Sequence, residues 1–205
     1  MYKLQMMLQK IVTFFCVAAA ALSFAYSLGV MTDVYFLYKL RAIDISVIGY
    51  DSIPGAEVFY EMQPFNQNFT TYSIILIILG ALCLVANNHT RRKYYIANYC
   101  TTIISSVASI GVAIWGFINV LKYKAQFLNV DFSVLEEIVE FVPEFVLTSN
   151  GIDPSNLSGP YSTFWFDACY VVFPILIIAA LLNIANLIFK TVLMKNEKQL
   201  LAKGE

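Results

Sequence analysis

The sequence predicts an all-α membrane protein: a four-transmembrane-helix bundle with both termini cytoplasmic and two external loops that form a small cap. Three observations predict it. Four long stretches, 11–32, 69–88, 96–121 and 168–189, contain no Asp, Glu, Lys or Arg. The chain is 59% hydrophobic and 13% charged, where soluble domains carry about 25% charged residues. The charged residues between the stretches alternate in sign.

Each stretch reaches the ~20 residues that a helix needs to cross the hydrocarbon core. Backbone groups in lipid must bond internally, so each is read as a helix. Lys3 and Lys10 precede the first stretch, and Arg91, Arg92 and Lys93 separate the second from the third. Lys190, Lys195, Lys198 and Lys203 follow the fourth, against Glu197 and Glu205. Loop 33–68 holds five acids and two bases, and loop 122–167 holds seven acids and two bases. Positive residues beside membrane helices stay cytoplasmic, so all three basic segments agree on one topology. The chain reads as one integral domain, 1–205, with a cytoplasmic tail at 190–205. Its expected place is the cell membrane, multi-pass.

The first stretch has a competing reading as a signal peptide, with Lys3 and Lys10 as the charged region and Ser23, Phe24 and Ala25 as a cleavage site. The uncharged run continues to Thr32, long enough to span, and the spanning reading is preferred. The first helix repeats small residues every four positions, as Ala21, Ala25 and Gly29 and as Ala19, Ser23 and Ser27. The third repeats Ala97, Thr101, Ser105, Ser109 and Ala113. Small faces let membrane helices approach closely, so these are candidate helix-packing residues. The competing reading of the hydroxyls is a polar pathway. In the fourth helix Pro174 loosens one turn, while Asn183 and Asn186 share a face and seek a hydrogen-bond partner on a neighbouring helix.

Aromatic residues mark the expected interfaces: Tyr161, Phe164, Trp165, Phe166 and Tyr170 on one side, and Tyr94, Tyr95 and Tyr99 on the other. The short link after the second helix makes the second and third helices an antiparallel hairpin. In the first external loop, residues 33–41 extend the first helix. Residues 42–50 alternate as a short strand, and 56–62 form a second strand after the turn at Pro54 and Gly55. The pair would be a β-hairpin. In the second, Asp131 or Ser133 caps a short amphipathic helix, with Glu136 completing a capping box. Its apolar face carries Val134, Leu135, Ile138, Val139, Val142, Phe145 and Val146, candidate partner contacts. Pro143 bends or ends it.

Cys16, Cys83, Cys100 and Cys169 lie in or at the edge of apolar stretches and read as small hydrophobes. Sequons at Asn68, Asn88 and Asn156 carry little weight. The single histidine, His89, adjoins the basic cluster. No metal, nucleotide or nucleophile motif is present, and no carboxylate lies inside a predicted helix to relay protons. No catalytic residue, metal site or cofactor is expected, and no nucleic-acid partner.

The arrangement resembles that of claudins and tetraspanins, which also place both ends inside and two loops outside. The first loop here lacks the Trp and Cys pair of claudins, and the second lacks the Cys-Cys-Gly motif of tetraspanins. Neither family is assigned. The expected function is non-catalytic: an integral membrane interaction protein or accessory subunit. It would dock a larger complex, or a second copy of itself, through small-residue helix faces and an acidic external cap. The alternatives are a small self-associating transporter or channel lined by Ser105, Ser109 and Asn183, and an outer-surface enzyme using Glu136, Glu140, Asp153 and Asp167. The lipid bilayer is the partner common to all three.

Overall fold

A computed structural model describes residues 2–35, 37, 54–88, 95–133, 137, 140–149 and 162–202. The described chain is helical: α1 (Tyr2–Gly29), α2 (Val58–Asn88), α3 (Tyr95–Leu128), α4 (Glu144–Ser149) and α5 (Phe164–Ala202). No strand occurs among the described residues. Four helices are long and apolar enough to cross a membrane, at 26, 30, 33 and 33 residues over those spans.

The helices outrun the uncharged stretches. α1 begins at Tyr2 and stops at Gly29. Leu4, Met7, Leu8, Ile11 and Phe14 point outward, while Gln5, Gln9 and Thr13 are buried. Lys3 and Lys10 therefore do not mark where the helix starts. The chain leaves α1 through a turn in which Thr32 donates both its backbone N–H (2.8 Å) and its hydroxyl (2.6 Å) to the Gly29 carbonyl. Residues 33 and 34 continue that turn, and most of the expected extension to 41 lies outside the described residues.

The strand expected at 56–62 is not formed. Residues 54–57 are a turn and Val58 opens α2. Val58, Phe59, Met62, Phe65 and Phe69 are buried at helical spacing, so a longer 3.6-residue pattern overrides a short β-like run. The partner strand, 42–50, lies outside the described residues. Gly55 holds the turn at a φ of 86°, where other residues are strained. α3 continues to Leu128, with Tyr123 and Phe127 extending the buried face of Val120. α5 runs past Phe189 to Ala202.

The amphipathic helix expected after Ser133 is interrupted. Asp131 Oδ1 accepts from the Ser133 N–H (3.0 Å) and hydroxyl (2.5 Å). The helix breaks at Val142 and Pro143, and α4 restarts there, with Val146 N–H donating to the Pro143 carbonyl (2.9 Å). The break separates Phe145 and Val146 from the residues before Pro143. Phe145 is 73% exposed, Val146 is half-buried, and Leu147 is buried instead. Val134, Leu135, Ile138, Val139 and Glu136 lie outside the described residues.

The chain divides into two compact units. The first comprises Met1–Ala25, Phe69–Gly116 and Tyr170–Glu205; the second comprises Tyr26–Asn68 and Phe117–Cys169. The first holds nine of the 13 Lys and Arg and two of the 14 Asp and Glu, and the second holds four and twelve. In the first unit the helices alternate in direction: Gln9 of α1 meets Asn87 of α2, and Ser23 meets Ser73 further along. Phe69 and Phe173 stack edge to face at 5.6 Å, closing on Gly116, where an added Cβ would lie 2.7 Å from the Phe173 ring.

The second unit is organised by its turns. Asp33 Oδ2 accepts from the backbone N–H groups of Trp165 (2.7 Å) and Phe166 (3.1 Å), capping α5. Burial pushes the Asp33 carboxyl above its usual value, against those two bonds. Trp165 packs onto Gly29, where a Cβ would fall 2.5 Å from the indole. Tyr123 donates to the Glu61 carbonyl (3.0 Å), and Asp131 N–H donates to that of Pro54 (3.0 Å).

Candidate functional site

The first unit buries a polar seam to which all four long helices contribute. α1 supplies Gln5, Gln9 and Thr13, α2 supplies Asn87, α3 supplies Asn98, and α5 supplies Asn186 and Lys190. Spacings of four on α1 and α5 put these side chains on one helix face. Gln5 Nε2 donates to Gln9 Oε1 (3.1 Å) and reaches Asn186 Oδ1 (3.5 Å). Gln9 Nε2 donates to Asn98 Oδ1 (3.1 Å) and to Asn87 Oδ1, which also accepts from Asn98. Asn87 Nδ2 donates to Thr13 Oγ1 (2.5 Å). Lys190 Nζ donates to Asn98 Oδ1 (2.8 Å) and lies 6.0 Å from the Tyr99 ring centroid. The Tyr99 hydroxyl pairs with that of Thr191 at 2.5 Å.

The seam continues along α3. Thr102, Ser105, Ser106 and Ser109 are buried, and Asn183 Nδ2 donates to Ser106 Oγ (3.3 Å). From Asn98 to Ser109 it covers about 16 Å at ~1.5 Å per residue. Ala113, Leu176, Phe173 and Phe69 then follow, all buried and apolar. Most of these polar groups are buried, and a buried polar group is stable only when hydrogen-bonded. One atom is not: Gln5 is 1% exposed, and its Oε1 meets no donor among the described residues.

The candidate packing residues divide. Ser105, Ser109, Ala113, Asn183 and Asn186 are buried in this unit, as are Ala19 and Ser23 of the other α1 repeat. Gly29 is buried in the second unit. Ala21, Ala25 and Ala97 are exposed, and Thr101 is half-buried. Each step of four turns a helix about 40° beyond a full circle. Five positions thus sweep about 160°, and Ala97 and Ala113 take opposite environments. Cys83 and Cys169 are buried, Cys16 is half-buried, and Cys100 is exposed, against its reading as a buried hydrophobe; all four are free thiols.

Gln5, Gln9, Thr13, Asn87, Asn98 and Lys190 were not singled out by the sequence reading. Their signal is present. Gln5, Gln9 and Thr13 recur every four residues, interleaved with Leu4, Met7, Leu8 and Ile11. That is the inside-out pattern of a membrane helix, hidden by treating Lys10 as its boundary.

Asp167 bonds Lys124 (2.5 Å) and Thr163 (2.7 Å), and Glu140 is exposed. Glu136 and Asp153 lie outside the described residues. Among those described, no three His, Cys, Asp or Glu side chains group to hold a metal. In the second unit an open cleft of ≈ 220 Å³ is lined by Gly55, Glu57, Val58, Glu61, Gln126 and Asn129. Gln126 bonds Glu61 there at 3.0 Å.

By the length and composition of its helices, the chain is a multi-pass helical membrane protein. No protein-family model, curated protein or solved structure matches it.

Proposed function

We propose that this is a non-catalytic interaction or accessory protein of the cell membrane, with both termini cytoplasmic, that docks a larger membrane complex through helix faces and an acidic external cap. One observation carries the reading: Ala21 and Ala25 of α1 point outward, as does Ala18 one turn before. Alanines facing lipid form no close packing within this chain, yet they suit the close approach of a partner helix. On α3, Gly111 is likewise exposed, with no atom within 4 Å of where its Cβ would be. The topology is supported by the excess of Lys and Arg in one unit and of Asp and Glu in the other.

A photo-crosslinking residue at Ala21 or Ala25, activated in native membranes, tests it. One specific adduct is expected at both sites, and the adduct from Ala21 is lost on Ala25→Leu in a chain that still folds. Adducts to lipid alone, with a monomeric chain in mild detergent, would overturn it.

A second reading, a small transporter or channel, is favoured by the polar seam. Ser105, Ser109 and Asn183 would line its route. Solute flux in liposomes, reduced by Ser109→Leu, is the expected result; no flux with any solute tested removes it.

A further inference from the structure

We propose that the short segment Glu140–Ser149 lies on the bilayer that the long helices cross, with the Phe141 and Phe145 rings at its headgroup–acyl boundary, and that it favours zwitterionic over anionic lipid. Contact of this kind is independent of the docking reading and holds with or without a protein partner.

Three observations carry it. The first is an uncovered aromatic pair. Phe141 is 71% exposed and Phe145 is 73% exposed, the highest values of any aromatic side chain described. Neither takes part in a ring contact among the described residues. Leu147, two residues after Phe145, is buried, and that spacing turns a helix by about 200°. The side of α4 that carries Phe145 therefore faces away from the body of the second unit.

The second is the level at which the segment is held. Ile96–Leu128 and Phe164–Asn196 are 33 residues each. At ~1.5 Å per residue each measures about 50 Å, against about 40–45 Å for a bilayer with its headgroups. Their ends therefore lie at the headgroups. The Phe127 and Phe166 rings are 5.4 Å apart, which puts the end of α3 and the start of α5 at one level. The chain leaving α3 stays there. Phe132 stacks on Phe127 at 5.8 Å, and Asp131 N–H donates to the carbonyl of Pro54 just before α2 (3.0 Å). The segment is thus held between two points at the membrane surface. Leu128 and Phe164, both exposed, continue the apolar surface at those points.

The third is the charge beside the rings. Glu140 and Glu144 each precede one of the two phenylalanines, and both are exposed. At an interface the apolar ring enters the acyl boundary while the charged group stays among the headgroups. The carboxylates also select the lipid. An anionic surface attracts basic residues and repels acidic ones, and residues 140–149 hold two Glu with no Lys or Arg. A zwitterionic headgroup imposes no such repulsion.

Benzoylphenylalanine, a photoreactive analogue of phenylalanine, placed singly at Phe141 or Phe145 of the full chain, tests the proposal. Both side chains are exposed, so neither exchange disturbs a packed contact. The chain is irradiated in phosphatidylcholine liposomes and its adducts are identified by mass spectrometry. Ile104, exposed within the span of α3, serves as the lipid-facing reference. Glu57, exposed at the open polar cleft, serves as the water-facing one. Lipid adducts at Phe141 and Phe145 are expected at a yield matching Ile104 and severalfold above Glu57. Added phosphatidylglycerol should lower the yield at Phe145, and Glu140→Gln with Glu144→Gln should abolish that fall. Yields no higher than at Glu57 overturn the proposal, and a yield that rises with phosphatidylglycerol overturns the lipid preference. In native membranes, protein adducts at Phe141 and Phe145 in place of lipid adducts overturn it while supporting the docking reading.

The unsubstituted protein gives a second measurement. A lipid with a nitroxide at the top of its acyl chain should broaden the Phe141 and Phe145 ring signals in NMR more than a water-soluble gadolinium chelate does. The reverse order overturns the proposal without any variant having to fold.

Discussion

Two glycines on one helix should respond oppositely to the same change. At Gly116 an added Cβ would lie 2.7 Å from Cε1 and Cζ of Phe173 and 3.3 Å from Cε2 of Phe69. Carbon atoms prefer about 3.5–4.0 Å, so the Phe173 ring must retreat by roughly 1 Å. Both rings are almost fully buried, and neither has open space to enter. Overpacking of this kind costs about 1–3 kcal/mol. Alanine returns about 0.8–1 kcal/mol of helix propensity, leaving Gly116→Ala destabilised by up to about 2 kcal/mol. At Gly111 nothing lies within 4 Å, so Gly111→Ala keeps the propensity gain and loses nothing in an isolated chain. The two variants should differ by about 1–3 kcal/mol, which is the overpacking cost itself. Reversible unfolding in mixed micelles, followed by far-UV circular dichroism, measures the difference. If Gly116→Ala is as stable as Gly111→Ala, the close approach of α2, α3 and α5 at Phe69, Gly116 and Phe173 is wrong.

Further outcomes follow from single contacts. Asp33→Ala removes the acceptor for the Trp165 and Phe166 N–H groups and should cost about 1–2 kcal/mol, with faster amide exchange at the start of α5. Burial raises the Asp33 carboxyl above 3.8, so the folded state holds its proton more tightly than the unfolded state. Its contribution is therefore fully present below 3.8 and lost as pH rises through the folded value, and Asp33→Asn should flatten that part of the stability–pH profile. A double-mutant cycle on Ser23→Ala and Ser73→Ala should return a coupling of about 0.6 kcal/mol, the usual size for such a bond between membrane helices. Lys124→Met and Asp167→Asn remove an ion pair that is exposed on the Asp167 side. Each should shift the unfolding midpoint by less than about 1 kcal/mol, and by less still at high salt.

The four membrane helices were legible because lipid imposes a simple rule: about 20 residues without charge. Their ends were not. Lys10 was read as a boundary, but a lysine near the end of a membrane helix can extend its amine to the interface along a flexible stem, and the buried Gln5 and Gln9 precede it. Lys190, read as the start of a tail, turns inward to Asn98 instead. The repeats of four suggested faces without saying which neighbour each would meet. On α1 the set ending in Ser23 turns inward, while Ala21 and Ala25 turn outward. The short β-like run at 56–62 failed because its residues also continue the helical face that ends at Phe69. Phe145 is exposed on the short helix that restarts after Pro143, the residue expected to bend or end that segment.

The distribution of residue types in the first unit connects the two functional readings. In water, burying apolar side chains draws helices together. In lipid the tails are as apolar as Leu, and association depends on close packing and hydrogen bonds between helices. This unit accordingly holds its polar residues inside and presents Ile103, Ile104, Val107 and Ile178 to its surroundings. Its own cohesion rests on the seam and on the contacts at Gly80 and Gly116, none of which involves Ala21, Ala25 or Gly111. Substituting Leu at those three outward positions should therefore leave the isolated chain folded while interfering with a partner. Substituting Leu at Asn98, which bonds Gln9, Asn87 and Lys190, should unsettle the chain itself. Loss of partner adducts without loss of fold in the first set, and the reverse order of severity in detergent stability, separates an outer docking face from an inner site.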